Sequence, residues 1–364
     1  MPQMQPIPSM QGRPSMPPPP QFAPPPMYMM PPPPPRRGGG FVRGVFTVLA
    51  TTILGISLTL NIYLLLASGV LAGGSTLRET DILKGDPTQK IAVVPLGGLI
   101  DDSAVIVFDR FLRNAEADKN VKGLVIQVDS PGGTVSASDE IHHRIQQFRT
   151  NRPGVPIVVS QSGLAASGGY YVSVAADYIF SEPTTLTGSI GVIMPNYNLT
   201  GLLNKWGIQD SSIISTGATF KDAGSMTKPI DPQQVAYLQG LIDQSFVQFK
   251  SVIANGRKMM TSKEVAAIAN GKVYTAAEAK NLKLIDEIGY ADDACEYVAS
   301  KLGLTKKTIV RYQSPSGLLE MLSAKSSQPS PSAATNITIN GVHVDSKGLT
   351  ELLTPRPMYL WRGQ

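Results

Sequence analysis

Between Pro156 and Ala176 an apolar, β-branched run stops at small residues and then resumes. The first half, I-V-V-S from Ile157, reads as a buried strand, and G-G-Y-Y-V-S-V-A-A from Gly168 reads as a helix. Such a chain must turn from strand into helix within a few residues, which only small side chains permit. Ser167 stands at that junction. There its hydroxyl is presented at a strand end, and the free N–H groups of the first helical turn are available to an oxyanion. The plainer alternative is that Ser167 is only the N-cap of the helix, a common post for serine.

Other segments bear on that choice. G-L-V-I-Q-V-D at 123–129 is a second strand pattern, which ends in S-P-G-G at 130–133. The helical stretch that follows carries Ile141, Ile145 and Phe148 on one face. Two glycines after a strand allow close backbone approach and aim N–H groups into a cleft. Further on come T-G-S-I-G-V at 187–192 and K-D-A-G-S at 221–225.

A serine hydroxyl is a poor nucleophile until a base takes its proton. The chain has three histidines. His142 and His143 are adjacent on one predicted helix and point in different directions, and His343 lies in a polar tail. A lysine base must be neutral, yet only about one lysine in a thousand is uncharged near neutral pH. Burial against apolar neighbours is what makes such a base. Phe220 offers an apolar neighbour to Lys221, though from these residues alone a solvated loop lysine is the plainer reading.

Taken in order, D-S-P-G-G, A-A-S-G-G-Y-Y, T-G-S-I-G-V and K-D-A-G-S resemble the signal peptide peptidase A family of Ser/Lys membrane proteases. V-Y-T-A-A-E-A at 273–279 with L-I-D-E-I-G at 284–289 resembles its closing helix and strand. The resemblance spans 91–303. It implies an α/β fold similar to the Clp protease and crotonase spirals of β-β-α repeats. It also implies Ser167 as nucleophile, Lys221 as general base with Lys228 as the fallback, Ser189 as the hydroxyl that orients the base, and Gly133 and Gly168 as oxyanion donors. The resemblance is to the single-copy, half-length form, whose members form homo-oligomers. By analogy with the two-copy members, Ser167 of one subunit meets Lys221 of another.

The ends of the chain place this chemistry. Residues 1–35 hold 16 of the 30 prolines and 7 of the 13 methionines, a composition that cannot bury a core. Gly44 to Leu66 is a run of 23 residues without a charge, long enough to cross a bilayer. It is a spanning anchor or, with small residues at 67–69 and 70–72 to cut at, the core of a cleaved signal peptide. Arg36, Arg37 and Arg43 precede it and the next charges are Arg78 and Glu79, so the positive-inside bias puts the N-terminus in the cytoplasm. The domain order expected is a Pro-rich tail (1–40), a transmembrane helix (44–66), a protease domain (87–312), a Ser/Pro-rich linker (313–334) and a C-terminal tail (335–364). Beyond position 43 lie 28 basic and 27 acidic residues, a net charge of +1 that gives nucleic-acid binding no support. The single Cys295 rules out an internal disulfide and a cysteine-based zinc cluster; neither a cofactor nor a metal is expected.

The expectation is therefore a serine endopeptidase, anchored in the cytoplasmic membrane with its catalytic domain outside, cutting signal-peptide remnants or other apolar peptides. A broader envelope quality-control protease is the nearest alternative. A non-catalytic scaffold would not need Ser167, Ser189 and Lys221 together. A crotonase-like acyl-CoA enzyme would lack its CoA outside the cytoplasm. A stripe of Val235, Leu238, Ile242, Phe246, Phe249 and Ile253 predicts a helix over 232–256 whose apolar face belongs to the core or to a subunit interface and carries no chemistry. The apolar C-terminal run M-Y-L-W predicts a segment that docks at a subunit interface or in the substrate groove as a tethered competitor, or else a hydrophobic plug on its own subunit.

Overall fold

A computed structural model describes residues 40–67, 77–313, 337–339, 342–344 and 356–363. The expected Pro-rich tail and most of the linker lie outside these residues. The chain divides into two units, 1–63 and 64–364. The first unit holds most of helix α1 (Gly40–Ala67). Within it, Gly44–Leu64 has a mean hydropathy of 1.9 over its most apolar window and none of that window is buried, so by length and composition it suits a membrane span. Its threonines are no obstacle. Thr51, Thr52 and Thr59 donate their hydroxyls to carbonyls one turn back, which satisfies them without water.

The second unit alternates strand and helix as β1 (Arg78–Leu83), β2 (Asp86–Ile100), α2 (Asp102–Ala117), β3 (Val121–Thr134), α3 (Val135–Asn151), β4 (Ile157–Ala166), α4 (Gly168–Ser173) and β5 (Tyr178–Ser181). After β6 (Leu186–Gly188) come α5 (Thr200–Lys205) and α6 (Pro232–Gly256). The unit continues through α7 (Ser262–Ile268), β7 (Val273–Thr275), α8 (Ala276–Asn281), β8 (Glu287–Ile288), α9 (Ala291–Leu302) and β9 (Lys307–Gln313). A hairpin of β10 (Ile337–Ile339) and β11 (Val342–Val344) and a tail strand, β12 (Met358–Leu360), follow.

The main sheet runs β1-β9-β2-β3-β4-β5-β8, with β6 and β7 branching from β4 and β12 added to β3. Its central pairs are parallel, which accounts for the nearly unbroken apolar runs of β2, β3 and β4: a parallel strand is covered on both faces. One face carries α2, α3, α4 and the end of α6 over Val94, Leu124, Ile126 and Val159. The other carries α9 over Ile91, Val93, Val125 and Val158, with Cys295 buried among them. There desolvation pushes the Cys295 thiol up to about 12, so it packs rather than reacts. The predicted face of α3 is buried at Ile141, Ile145 and Phe148. The helix over 232–256 forms, but only Phe249, Val252 and Ile253 of it are buried.

Candidate active site

The junction read from the sequence forms as strand, one residue, helix: β4 ends at Ala166 and α4 begins at Gly168. Ser167 between them has φ 53° and ψ −111°, left-handed backbone that a serine adopts only under constraint. The constraint is visible. Its N–H donates to the Gly188 carbonyl at 2.7 Å, and its own carbonyl accepts from Tyr171 N–H at 2.8 Å. The side chain makes no capping hydrogen bond, which removes the N-cap explanation for this serine. A buried hydroxyl on a strained turn at a helix start is the arrangement of a nucleophile elbow.

Ser189 lies next to it in space. It follows β6, itself paired to β4 at Ala166 opposite Gly188, and it too has a positive φ, 49°. Its N–H donates to the Lys272 carbonyl at 2.8 Å. Ser167 and Ser189 line one groove of about 520 Å³ with Gly191, Ile193 and Lys272. Lys272 was not singled out by the sequence; its ammonium, 3.5 Å from Glu278, is that of an ordinary surface ion pair.

The glycine loop closes on the same place. A methyl group at Gly168 would stand 3.1 Å from Gly133 N and 2.5 Å from Ser138 Oγ, and one at Gly133 would collide with the Ile100 carbonyl. Gly133 N and the start of α4 are thus gathered around one point, and no side chain fits between them.

An extended segment occupies that point. Strand β12 runs antiparallel along the glycine loop, Met358 opposite Thr134, Tyr359 opposite Gly133 and Leu360 opposite Gly132. Its other edge exchanges two hydrogen bonds between Met358 and Ile193, at 2.8 and 3.0 Å. Trp361 N–H donates to the Pro131 carbonyl at 2.9 Å. A methyl group at Gly132 would collide with the Tyr359 carbonyl oxygen and stand 2.6 Å from Gly168 N, so that carbonyl lies beside the two proposed donors. The Tyr359 ring is fully buried, stacked 4.9 Å from Tyr171 and tilted 4.6 Å from Phe249, and its hydroxyl donates to the Ser245 carbonyl at 2.8 Å.

Lys221 is not in this groove. It is exposed, in a segment, 191–230, with no buried residue at all. Phe220 packs on Tyr237 of α6 at 5.1 Å. Lys228 donates to Asp222 at 2.6 Å, and that bond holds its pKa above the ordinary lysine value, the wrong direction for a base. The histidines are elsewhere. His142 stands edge-on to Tyr171 at 5.4 Å, its pKa lowered by burial, and His143 bonds Gln147. Among the described residues no cluster suits a metal.

Comparison with known proteins decides the family. The model for peptidase family S49 matches residues 149–305 and that for Clp protease matches 88–186. A putative signal peptide peptidase SppA of Enterococcus faecium is 32% identical over 252 residues, 66% of this chain and 72% of the relative. A putative protease of Synechocystis is 32% identical over 290 residues, 77% of this chain and 98% of that one. The chain belongs to peptidase family S49. It is a serine protease with a Clp protease-like fold and one candidate membrane-spanning helix, as the motifs led one to expect. Protease 4 of Salmonella typhi, 35% identical over 211 residues, is matched over only 33% of its own length.

Proposed function

We propose that this S49 protease is a membrane-anchored endopeptidase that binds apolar peptides as an added strand, cuts them with Ser167, and acts on signal-peptide remnants at the outer face of the cytoplasmic membrane. The observation that carries this reading is the strand β12 in the groove. An extended segment bonded along both edges, with an aromatic side chain in a buried pocket and its carbonyl beside Gly133 and Gly168, is how a peptide substrate would lie. In the reaction a neutral lysine takes the Ser167 proton, and Oγ attacks the carbonyl carbon. Gly133 and Gly168 N–H groups receive the oxyanion, and the lysine returns the proton to the leaving amine. Ser189 orients that lysine. The base is Lys221 of a neighbouring subunit, which fits its exposure here. The same segment exposes Trp206 at 74% and Ile213 at 97%, apolar surface that a second copy would cover. The basic residues before α1 put the N-terminus in the cytoplasm and the catalytic unit outside.

On this reading the tail competes with substrate. For a competitor carried on the same chain at an effective concentration of about 1 mM, a Kd of about 100 μM raises the apparent KM about tenfold. Deleting 355–364 should therefore lower KM for an apolar peptide several-fold with kcat little changed, and Tyr359→Ala should reproduce most of that drop. Steady-state kinetics on the three proteins are the check. An unchanged KM in both would show that the strand is not a competitor.

A further inference from the structure

Ser130 is buried, polar and outside the catalytic roles assigned so far, and it sits where β3 leaves both of its neighbours at once. The β2–β3 register breaks between Gly97, opposite Asp129, and Leu99, opposite Gly132. The β3–β4 register breaks between Val128, opposite Gln161, and Ser130, opposite Ala165. Main-chain groups at such a double break lose their ladder partners. The Ser130 hydroxyl replaces them. It donates to the Gly98 carbonyl at 2.6 Å and accepts from Gly132 N–H at 3.0 Å.

The consequence reaches the reacting carbonyl through a short path. Pro131 has its φ fixed by its ring. The bond to Ser130 then fixes the peptide plane between Pro131 and Gly132. Gly132, at φ 99°, a conformation open to glycine alone, turns the next plane and with it Gly133 N–H. Ser130 also packs against the residue that follows the other donor: a methyl group on Gly169, next to Gly168, would stand 2.9 Å from the Ser130 carbonyl and 3.5 Å from its Cβ. One residue therefore braces the glycine loop and the first turn of α4 together.

We propose that Ser130 is a positioning residue for the oxyanion site: its hydroxyl holds the glycine loop so that Gly133 N–H faces the same point as Gly168 N–H. This rests on the reading of Ser167 as nucleophile and of those two glycines as oxyanion donors. Ser130→Ala leaves Gly132 N–H and the Gly98 carbonyl without their partner, and the loop turns to satisfy them. Losing one oxyanion donor outright costs about 100- to 1000-fold in kcat, so displacing one is expected to cost at least about tenfold. The edge pairing that binds the peptide does not use the hydroxyl but runs along the same loop, so the loss is expected to be larger for the tetrahedral state than for the bound peptide.

The test uses the full-length enzyme in detergent with an apolar peptide substrate and a peptide boronate, which becomes tetrahedral on the nucleophile. In Ser130→Ala, kcat should fall at least about tenfold and by more than KM rises, and boronate affinity should weaken by a factor similar to the fall in kcat. Ser130→Cys, which keeps a weaker donor and acceptor, should lie between the two, and it carries the same measurements should the alanine protein fail to fold. Undiminished kcat, or a fall in kcat with boronate affinity unchanged, overturns the role of Ser130. Mass spectrometry of the wild-type adduct separates the two levels: a boronate not bound at Ser167 refutes the underlying assignment instead.

Discussion

Ser167→Ala and Lys221→Ala should each abolish peptide cleavage, with kcat falling by about 10⁵-fold or more, as when a nucleophile or its base is removed from other serine proteases. The proposed role of Ser167 rests on its backbone: a buried serine held at φ 53°, with no capping bond, in a turn that Gly188 and Tyr171 hold by main-chain bonds an alanine keeps. The variant should therefore fold at least as well as the parent, which makes the loss of activity diagnostic. His142→Ala with His143→Ala should leave activity largely intact, since neither ring lines the groove. Since a lysine base works only when deprotonated, kcat/KM should rise with pH to a plateau. Hydrolysis of a fluorogenic apolar peptide by each purified variant is the measurement. Activity lost in the histidine double variant with folding preserved would turn the assignment away from a Ser/Lys pair.

Much of the fold was legible because parallel sheets announce themselves. The apolar runs of β3 and β4 ended in small residues where the sequence pattern put them, and the α3 face of Ile141, Ile145 and Phe148 buried as its spacing required. What the sequence could not separate was Ser167 as cap from Ser167 as nucleophile. The two differ in backbone angle, and the angle is imposed by Gly188 on a strand 20 residues away in sequence from the start of α4. The same holds for Ser189, whose positive φ is set by Lys272. The apolar tail was recognisable as a docking segment, but its place opposite Gly133 depends on a free edge of β3 that no local pattern reveals. Ser130 was read only as part of a turn, because its partners, Gly98 and Gly132, matter only once two ladders break around it. Of the stripe on α6, Phe249 and Ile253 are buried and Phe246 packs against the core, while Val235 near the other end of the helix stays exposed, because only the C-terminal part of α6 meets the sheet's helical layer.

If each site joins Ser167 of one subunit to Lys221 of the next, two dead enzymes should make a live one. In oligomers assembled from equal amounts of Ser167→Ala and Lys221→Ala chains, about a quarter of the head-to-tail interfaces bring an intact serine to an intact lysine. The expected recovery is about a quarter of wild-type activity, a gain of several orders of magnitude over either parent. The interface itself is suggested by a segment that a lone chain leaves bare: nothing between 191 and 230 is buried, and Lys221 lies within it beyond the groove. A single subunit cannot complement in this way, because its serine and lysine are on the same chain and one is always missing. The experiment needs co-expression from two tagged genes and tandem purification, so that only mixed oligomers are assayed. Mixed oligomers that form and remain inactive would place both residues in one subunit, and Lys221 would then have to reach Ser167 by a movement of its own segment.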